Sequence, residues 1–177
     1  MIIALTGYMG SGKSTIGYLV AEKLNMPFID LDEYIEKNFG FKPGDLIRVF
    51  GEEFFRKIER QALKFILEKY PDQDIIIALG GGTFVQAENK ALLQQKALNV
   101  FIDTPFEKIL SNIKNNEGIR PLLIKNKKKE LDRSAIHAHY NQRLAHYRQA
   151  DIIFNNHYDK IPHAAHVLYD ILKPYIS

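Results

Sequence analysis

The chain has 177 residues, 46% of them hydrophobic, no cysteine, and 24 Lys plus Arg against 21 Asp plus Glu for a formal net charge of +3. That is enough for one domain with a sizeable core and too short for two, the near-neutral balance gives no ground for nucleic acid, and the lack of cysteine excludes a disulfide framework or a thiolate metal site. The N-terminus enters an apolar run without a basic region, and no stretch of 18 apolar residues follows anywhere, so a soluble, cytosolic protein with no membrane partner is expected.

Ile2 to Thr6 is a short β-branched run that reads as a buried strand. Residues 7–15 follow, and Gly7-Tyr8-Met9-Gly10-Ser11-Gly12-Lys13-Ser14 fits the phosphate-loop pattern without a mismatch. Ile16, Leu19, Val20 and Leu24 then recur at helical spacing, so the loop joins a strand to a helix. Glycines let successive backbone N–H groups turn inward around a polyphosphate, and the helix N-terminus adds partial positive charge. Gly10, Ser11, Gly12, Lys13, Ser14 and Thr15 are therefore expected to bind a nucleoside triphosphate. Lys13 is expected to reach the β- and γ-phosphates and Ser14 to hold Mg²⁺.

Further along, residues 27–30 read as a second strand and 32–39, 43–50 and 52–69 as helices, with breaks at Gly40, Pro43 and Gly51. Residues 74–79 form the most apolar run, a third strand that stops at Gly80-Gly81-Gly82. A helix over 86–96 leads to a fourth strand over 98–102, and Pro105 stands where the next helix opens, at its N1 position. Residues 115–129 turn polar and Asn/Lys-rich, the best candidate for a mobile lid; Lys125 and Lys127 to Lys129 within it read as a solvated basic segment that could touch phosphates. A helix over 130–149, a strand over 151–154 and a closing helix near 160–173 complete the chain. Alternation of strands and helices predicts an α/β fold, a three-layer α/β/α sandwich around a five-stranded parallel sheet, with the ligand at the carboxyl ends of the strands.

Two carboxylates, Asp30 and Asp32, stand at alternate positions, where an extended backbone would aim both to one side. Beside Mg·ATP, one could serve the metal and the other orient an acceptor hydroxyl and take its proton. Asp32 also stands where a helix N-cap would stand. Arg56, Arg120 and Arg143 are candidates for fixing an anionic small molecule through bidentate guanidinium contacts, although Arg60, Arg133 and Arg148 are of the same type. His137/His139 and His163/His166 lack a third ligand nearby and are expected to pack or lie at the surface rather than bind metal.

The ordered set of Gly7 to Thr15 with Gly17, Asp30-Leu31-Asp32, Gly51-Glu52 with Phe55-Arg56 and Glu59, Gly80-Gly81-Gly82, Arg120-Pro121-Leu122-Leu123, and Arg143 four residues before Tyr147 resembles the shikimate kinase family over almost the whole chain. The resemblance implies a single P-loop kinase domain over 1–177, similar to nucleoside monophosphate kinases, with acceptor-binding helices about 32–60 and a lid about 115–129. It implies ATP-dependent phosphorylation of the 3-hydroxyl of shikimate, on the way to chorismate and the aromatic amino acids. By resemblance, Lys13 binds phosphate, Ser14 and Asp30 serve Mg²⁺, and Asp32 holds the reacting hydroxyl and acts as base. Arg56 and Arg143 grip the shikimate carboxylate, the Gly80, Gly81 and Gly82 backbone closes on the ring hydroxyls, and Arg120 swings over the transferring phosphate. A monomer is the simplest expectation for a domain of this size.

The chain departs from the family pattern at Ile47, where many relatives carry phenylalanine; at Ser111-Asn112-Ile113-Lys114, where an arginine is common; and at Asn155-Asn156-His157, where the base is cupped. The adenine contacts are therefore left unassigned. A gluconate or nucleoside monophosphate kinase is the nearest competing reading, and Leu79-Gly80-Gly81-Gly82 stands where a nucleotide-acceptor kinase carries an Asp-Gly-Phe-Pro-Arg-like turn. A GTP-dependent switch would need Asp-x-x-Gly and Asn-Lys-x-Asp elements, and neither occurs. A non-catalytic relative is disfavoured because Lys13, Asp30, Asp32, Arg56 and Arg143 are all present.

Overall fold

The computed structural model describes residues 1–70, 73–115 and 132–176. In chain order it forms β1 (Ile2–Thr6), α1 (Lys13–Leu24), β2 (Phe28–Asp30), α2 (Leu31–Phe39), α3 (Pro43–Phe50), α4 (Glu52–Lys69), β3 (Ile75–Ala78), α5 (Ala87–Lys96), β4 (Leu98–Asp103), α6 (Phe106–Asn115), α7 (Arg133–Tyr147), β5 (Ile152–Asn155) and α8 (Ile161–Leu172). The expected lid, about 115–129, lies outside the described residues except for Asn115, and with it Arg120 and the lysine cluster.

The five strands make one parallel sheet in the order β2-β3-β1-β4-β5. Isoleucine-rich runs suit such a sheet because both of its faces are covered. Alternate residues go to opposite layers: Ile2 and Ala4 of β1 with Ile75 and Ile77 of β3 pack against α2, α3, α4 and α5, through Leu31, Leu46, Leu63 and Leu93 among others. Ile3 and Leu5 with Ile76 face α1 and α8, meeting Ile16, Val20, Ala165 and Leu168. A third cluster, built from Tyr8, Met9, Phe101, Ile109, Ile136, Tyr140 and Tyr147, packs α6 and α7 over the end of the sheet. The three-layer sandwich is the one expected from the alternation of elements.

The breaks expected at Gly40, Pro43 and Gly51 fall where α2 ends, α3 begins and α3 passes into α4. Gly17 has a packing reason. A Cβ there would lie 2.6 Å from Leu5 Cδ1 and 2.9 Å from Phe28 Cε2, so α1 rides directly on the sheet. One boundary differs from expectation by a residue: α6 begins at Phe106, so Pro105 directly precedes it, and its carbonyl accepts the opening i+4 bond from Ile109 N at 3.0 Å. Because β1 is central and all strands run the same way, its carboxyl end opens in mid-rim, between the ends of β3 and β4. Among the described residues no helix is long and apolar enough to cross a membrane.

Candidate active site

The loop between β1 and α1 turns through Gly7, Gly10 and Gly12 at φ +146°, +76° and +93°, values that glycine adopts without strain. Gly12 is the residue before α1 and supplies no side-chain cap, and the first turn of this 12-residue helix carries no acid. Its positive end is thus left to an anion. Lys13 is 7% exposed and donates from Nζ to Tyr8 O at 3.0 Å, which folds its side chain back over the loop.

Three side chains hold the loop from behind. Thr104 Oγ1, just past β4, donates to Ser11 O at 2.8 Å; Asn156 Nδ2, just past β5, donates to Ser11 O at 3.3 Å and to Thr104 Oγ1 at 2.8 Å; Asn112 Nδ2 on α6 donates to Gly10 O at 2.8 Å. Asn112 and Asn156 lie in the two segments that depart from the family pattern. Asn156 is buried, so in this chain it braces the phosphate loop, while His157 stacks on Tyr158 with centroids 4.4 Å apart.

Asp30 and Asp32 are arranged otherwise than expected. β2 ends at Asp30 and α2 begins at Leu31, so Asp32 is helical and the two side chains do not project from a common extended segment. The cap is Asp30, not Asp32: Asp30 Oδ1 accepts from Asp32 N at 2.9 Å and from Glu33 N at 3.2 Å. Asp30 Oδ2 accepts from the Ser14 hydroxyl, which places the two expected Mg²⁺ ligands in contact. A hydroxyl and a carboxylate oxygen are hard donors of the kind that suits Mg²⁺, which takes its remaining ligands from phosphate and water. The pair fits the ion.

The Gly80-Gly81-Gly82 turn after β3 gathers the remaining candidates. A Cβ on Gly80 would lie 2.8 Å from Asp32 Oδ1 and 3.1 Å from Glu59 Oε1. Gly81 O accepts from Arg143 Nη1 at 2.9 Å and from the Tyr147 hydroxyl, and a Cβ on Gly81 would lie 3.3 Å from Met9 N of the phosphate loop. On Gly82 a Cβ would meet the Arg56 guanidinium. Asp32, Arg143 and Arg56 therefore touch three successive residues of one turn, itself in contact with the phosphate loop.

The Arg56 charge beside this turn is compensated. Arg56 pairs with Glu59 Oε2 at 2.9 Å and Glu52 Oε1 at 3.0 Å, and Glu59, 1% exposed, also accepts from Thr83 Oγ1 at 2.8 Å. Burial pushes the Glu59 carboxyl above its ordinary value, and Arg56 and Thr83 only partly offset this. Burial alone would lower the Arg56 guanidinium, but Glu59 and Glu52 outweigh it and raise it. Tyr147 is pushed up to about 12, chiefly by burial. Three other arginines are engaged away from the turn: Arg60 with Glu88, Arg133 with Glu107, and Arg148 opposite Asp103.

Glu59, Thr83, Tyr147, Thr104 and Asn156 received no role from the sequence. Helical spacing held a signal for two of them, since Glu59 is three residues past Arg56 and Tyr147 four past Arg143. Thr104 and Asn156 directly follow strands, on the rim where ligands bind in such sheets.

A family model described as shikimate kinase matches residues 9–173. The chain belongs to the shikimate kinase family. It is 38% identical over 152 residues to the shikimate kinase of Persephonella marina, covering 85% of each chain. The structure of shikimate kinase from Bacteroides thetaiotaomicron superposes with a TM-score of 0.86 at 32% identity, covering 98% of both chains. Shikimate kinase from Acinetobacter baumannii, solved in complex with shikimate, gives a TM-score of 0.84 at 28% identity, with 99% of this chain and 95% of that one covered. Membership in this kinase family makes ATP the co-substrate, and the phosphate loop is the part of the chain built to receive it.

Proposed function

We propose that this protein, as a single domain over residues 1–177, transfers the γ-phosphate of ATP to the 3-hydroxyl of shikimate, giving shikimate 3-phosphate and ADP on the route to chorismate and the aromatic amino acids. The observation that carries this reading is the glycine turn, which presents one carboxylate and two guanidinium groups to a single volume beside the phosphate loop. A ring bearing a carboxylate and several hydroxyls matches that set of groups.

In this reading Gly10, Ser11, Gly12 and Thr15 line the phosphates with Lys13, whose ammonium exchanges the Tyr8 carbonyl for phosphate oxygen. Arg56 and Arg143 fix the acceptor carboxylate; Arg56 keeps N–H donors beyond those used by Glu52 and Glu59, and the planar fork sets orientation as well as charge. Gly80, Gly81 and Gly82 let the ring approach the backbone. Asp32 accepts the hydroxyl proton as the oxygen attacks phosphorus. Ser14 and Asp30 would hold Mg²⁺, which when bound neutralises phosphate charge. Arg120, outside the described residues, is assigned on resemblance alone to the transferring phosphate. Most of the rate enhancement then comes from positioning and charge compensation. We place the protein in the cytoplasm as a monomer acting on small molecules, without nucleic-acid or membrane partners; the small net charge gives no ground for a nucleic-acid partner.

The test is ADP release from Mg·ATP by the purified protein, with shikimate, gluconate and AMP offered in parallel. Fast release is expected with shikimate only and is abolished in Lys13→Ala. Release with gluconate or AMP instead would overturn the assignment of Arg56 and Arg143 to shikimate.

A further inference from the structure

We propose that His139 is a positioning residue which, through the Tyr8 hydroxyl, holds the phosphate loop in register with the helix that carries Arg143. The inference rests on the kinase reading above and adds to it a contact that spans the two substrate sites.

Tyr8 is fully buried in the phosphate loop, directly before Met9. Its carbonyl receives Lys13 Nζ at 3.0 Å and Ser11 N at 3.1 Å, and its hydroxyl meets His139 Nδ1 at 2.7 Å. The Tyr8 ring is also held edge-on by His139 and Tyr140, at centroid distances of 5.6 and 5.4 Å. One helical turn beyond His139 on α7 comes Arg143, bonded to Gly81 O, and another turn beyond that is Tyr147, bonded to the same oxygen. Helix α7 thus fastens to the acceptor turn at its C-terminal end and to the phosphate loop near its middle, and Tyr8–His139 is the second fastening. In-line transfer depends on the separation of the attacking hydroxyl and the phosphorus, so a slack joint between the two sites lowers turnover more than it weakens either substrate.

We assign this contact to the neutral imidazole, the form that burial favours. With the Tyr8 hydroxyl donating to Nδ1, the imidazole is neutral and its proton sits on Nε2. The groups facing it are Tyr8 from the loop, Arg143 on its own helix and Glu52 from α4. Burial and then Arg143 push the His139 pKa below its ordinary value, against an opposing pull from Glu52. Protonation would force the Tyr8 hydroxyl to turn and accept, and would set a second cation beside the arginine that grips the acceptor.

Steady-state kinetics over about pH 5 to 8.5 on the wild-type protein, Tyr8→Phe, His139→Leu and His139→Asn test this, with thermal unfolding confirming that each variant is folded. Tyr8→Phe and His139→Leu should lose about three- to tenfold in kcat, while both KM values move by less than about twofold. His139→Asn, whose side-chain oxygen can stand in for Nδ1, should regain most of the kcat lost in His139→Leu and lack the acid limb that His139 contributes. ATP and shikimate titrate alike in all four proteins, so the difference between profiles belongs to the histidine. Wild-type kcat in Tyr8→Phe, or the same acid limb in His139→Asn as in the wild type, would overturn the proposal. Imidazole ¹⁵N shifts of His139 in the ligand-free protein should show Nδ1 as an acceptor, a signature lost in Tyr8→Phe; unchanged shifts would overturn it independently of turnover. Failure of the wild type to phosphorylate shikimate would instead strike the kinase reading.

Discussion

The Arg56 guanidinium lies flat against Gly82: a Cβ on that glycine would stand 2.6 Å from Nη2 and 2.7 Å from Nη1. The same guanidinium is held by Glu52 and Glu59 one helical turn away on either side. Its position is therefore set jointly by the absence of a side chain at Gly82 and the presence of two carboxylates on α4. In Gly82→Ala the arginine must shift while its ion pairs resist. The KM for shikimate is expected to rise by about tenfold, that for ATP by much less, because the displaced fork faces the acceptor and not the nucleotide. Initial rates at varied concentrations of each substrate check this, and equal effects on both KM values would contradict it.

Asp32 can be separated from Asp30 by substitution. Asp32→Asn keeps the side-chain shape in the first turn of α2 but removes the proton acceptor, so kcat should fall by about a hundredfold or more while ATP still binds. Nucleotide affinity by calorimetry alongside kcat distinguishes the two. Asp30→Ala should cost about 1 kcal/mol of stability through the lost cap as well as activity, a difference visible in urea unfolding.

Gly17→Ala tests the seating of α1. Alanine favours the helix by about 1 kcal/mol, yet its methyl would overlap Leu5 and Phe28, and overpacking of this kind costs about 1–3 kcal/mol. Net destabilisation is expected in urea unfolding, with kcat at low temperature nearly unchanged unless the helix carries the phosphate loop with it.

The depressed His139 pKa makes a statement about stability. A group that is harder to protonate in the folded chain than in the unfolded chain leaves the unfolded state binding more protons, so stability rises with pH through that window. His139 thus contributes stability that is complete above the ordinary histidine pKa of about 6.5 and is lost as pH falls toward its folded value. Melting temperatures at about pH 7.5 and 5.5 should differ less in His139→Asn than in the wild type.

The phosphate loop could be read from the sequence because its requirements are local: a glycine, four free positions, then Gly-Lys-Ser, between a strand and a helix. The glycine turn could be located, but what it gathers could not. Glu59 and Thr83 are 24 residues apart, Tyr147 and Gly81 66, and Asn156 and Ser11 145, and no periodicity carries such distances. The reading of Asp30 and Asp32 as alternate positions of one extended segment failed for a smaller reason. The strand stops two residues sooner than that requires, because Asp30 is itself the cap that starts the helix. The departures at Asn112 and Asn156 were recognised as departures, but their roles in bracing the loop depend on the closing of α6 and β5 over it.

One oxygen of Asp30 sits on the Ser14 hydroxyl and the other on the N–H groups that open α2, where Asp32 is the second residue. That carboxylate is a rigid coupling between the donor half of the reaction and the acceptor half. A longer acid at position 30 could satisfy either partner but would displace the other. Redesign of this protein for a different acceptor would therefore do better to leave residues 30 to 32 in place.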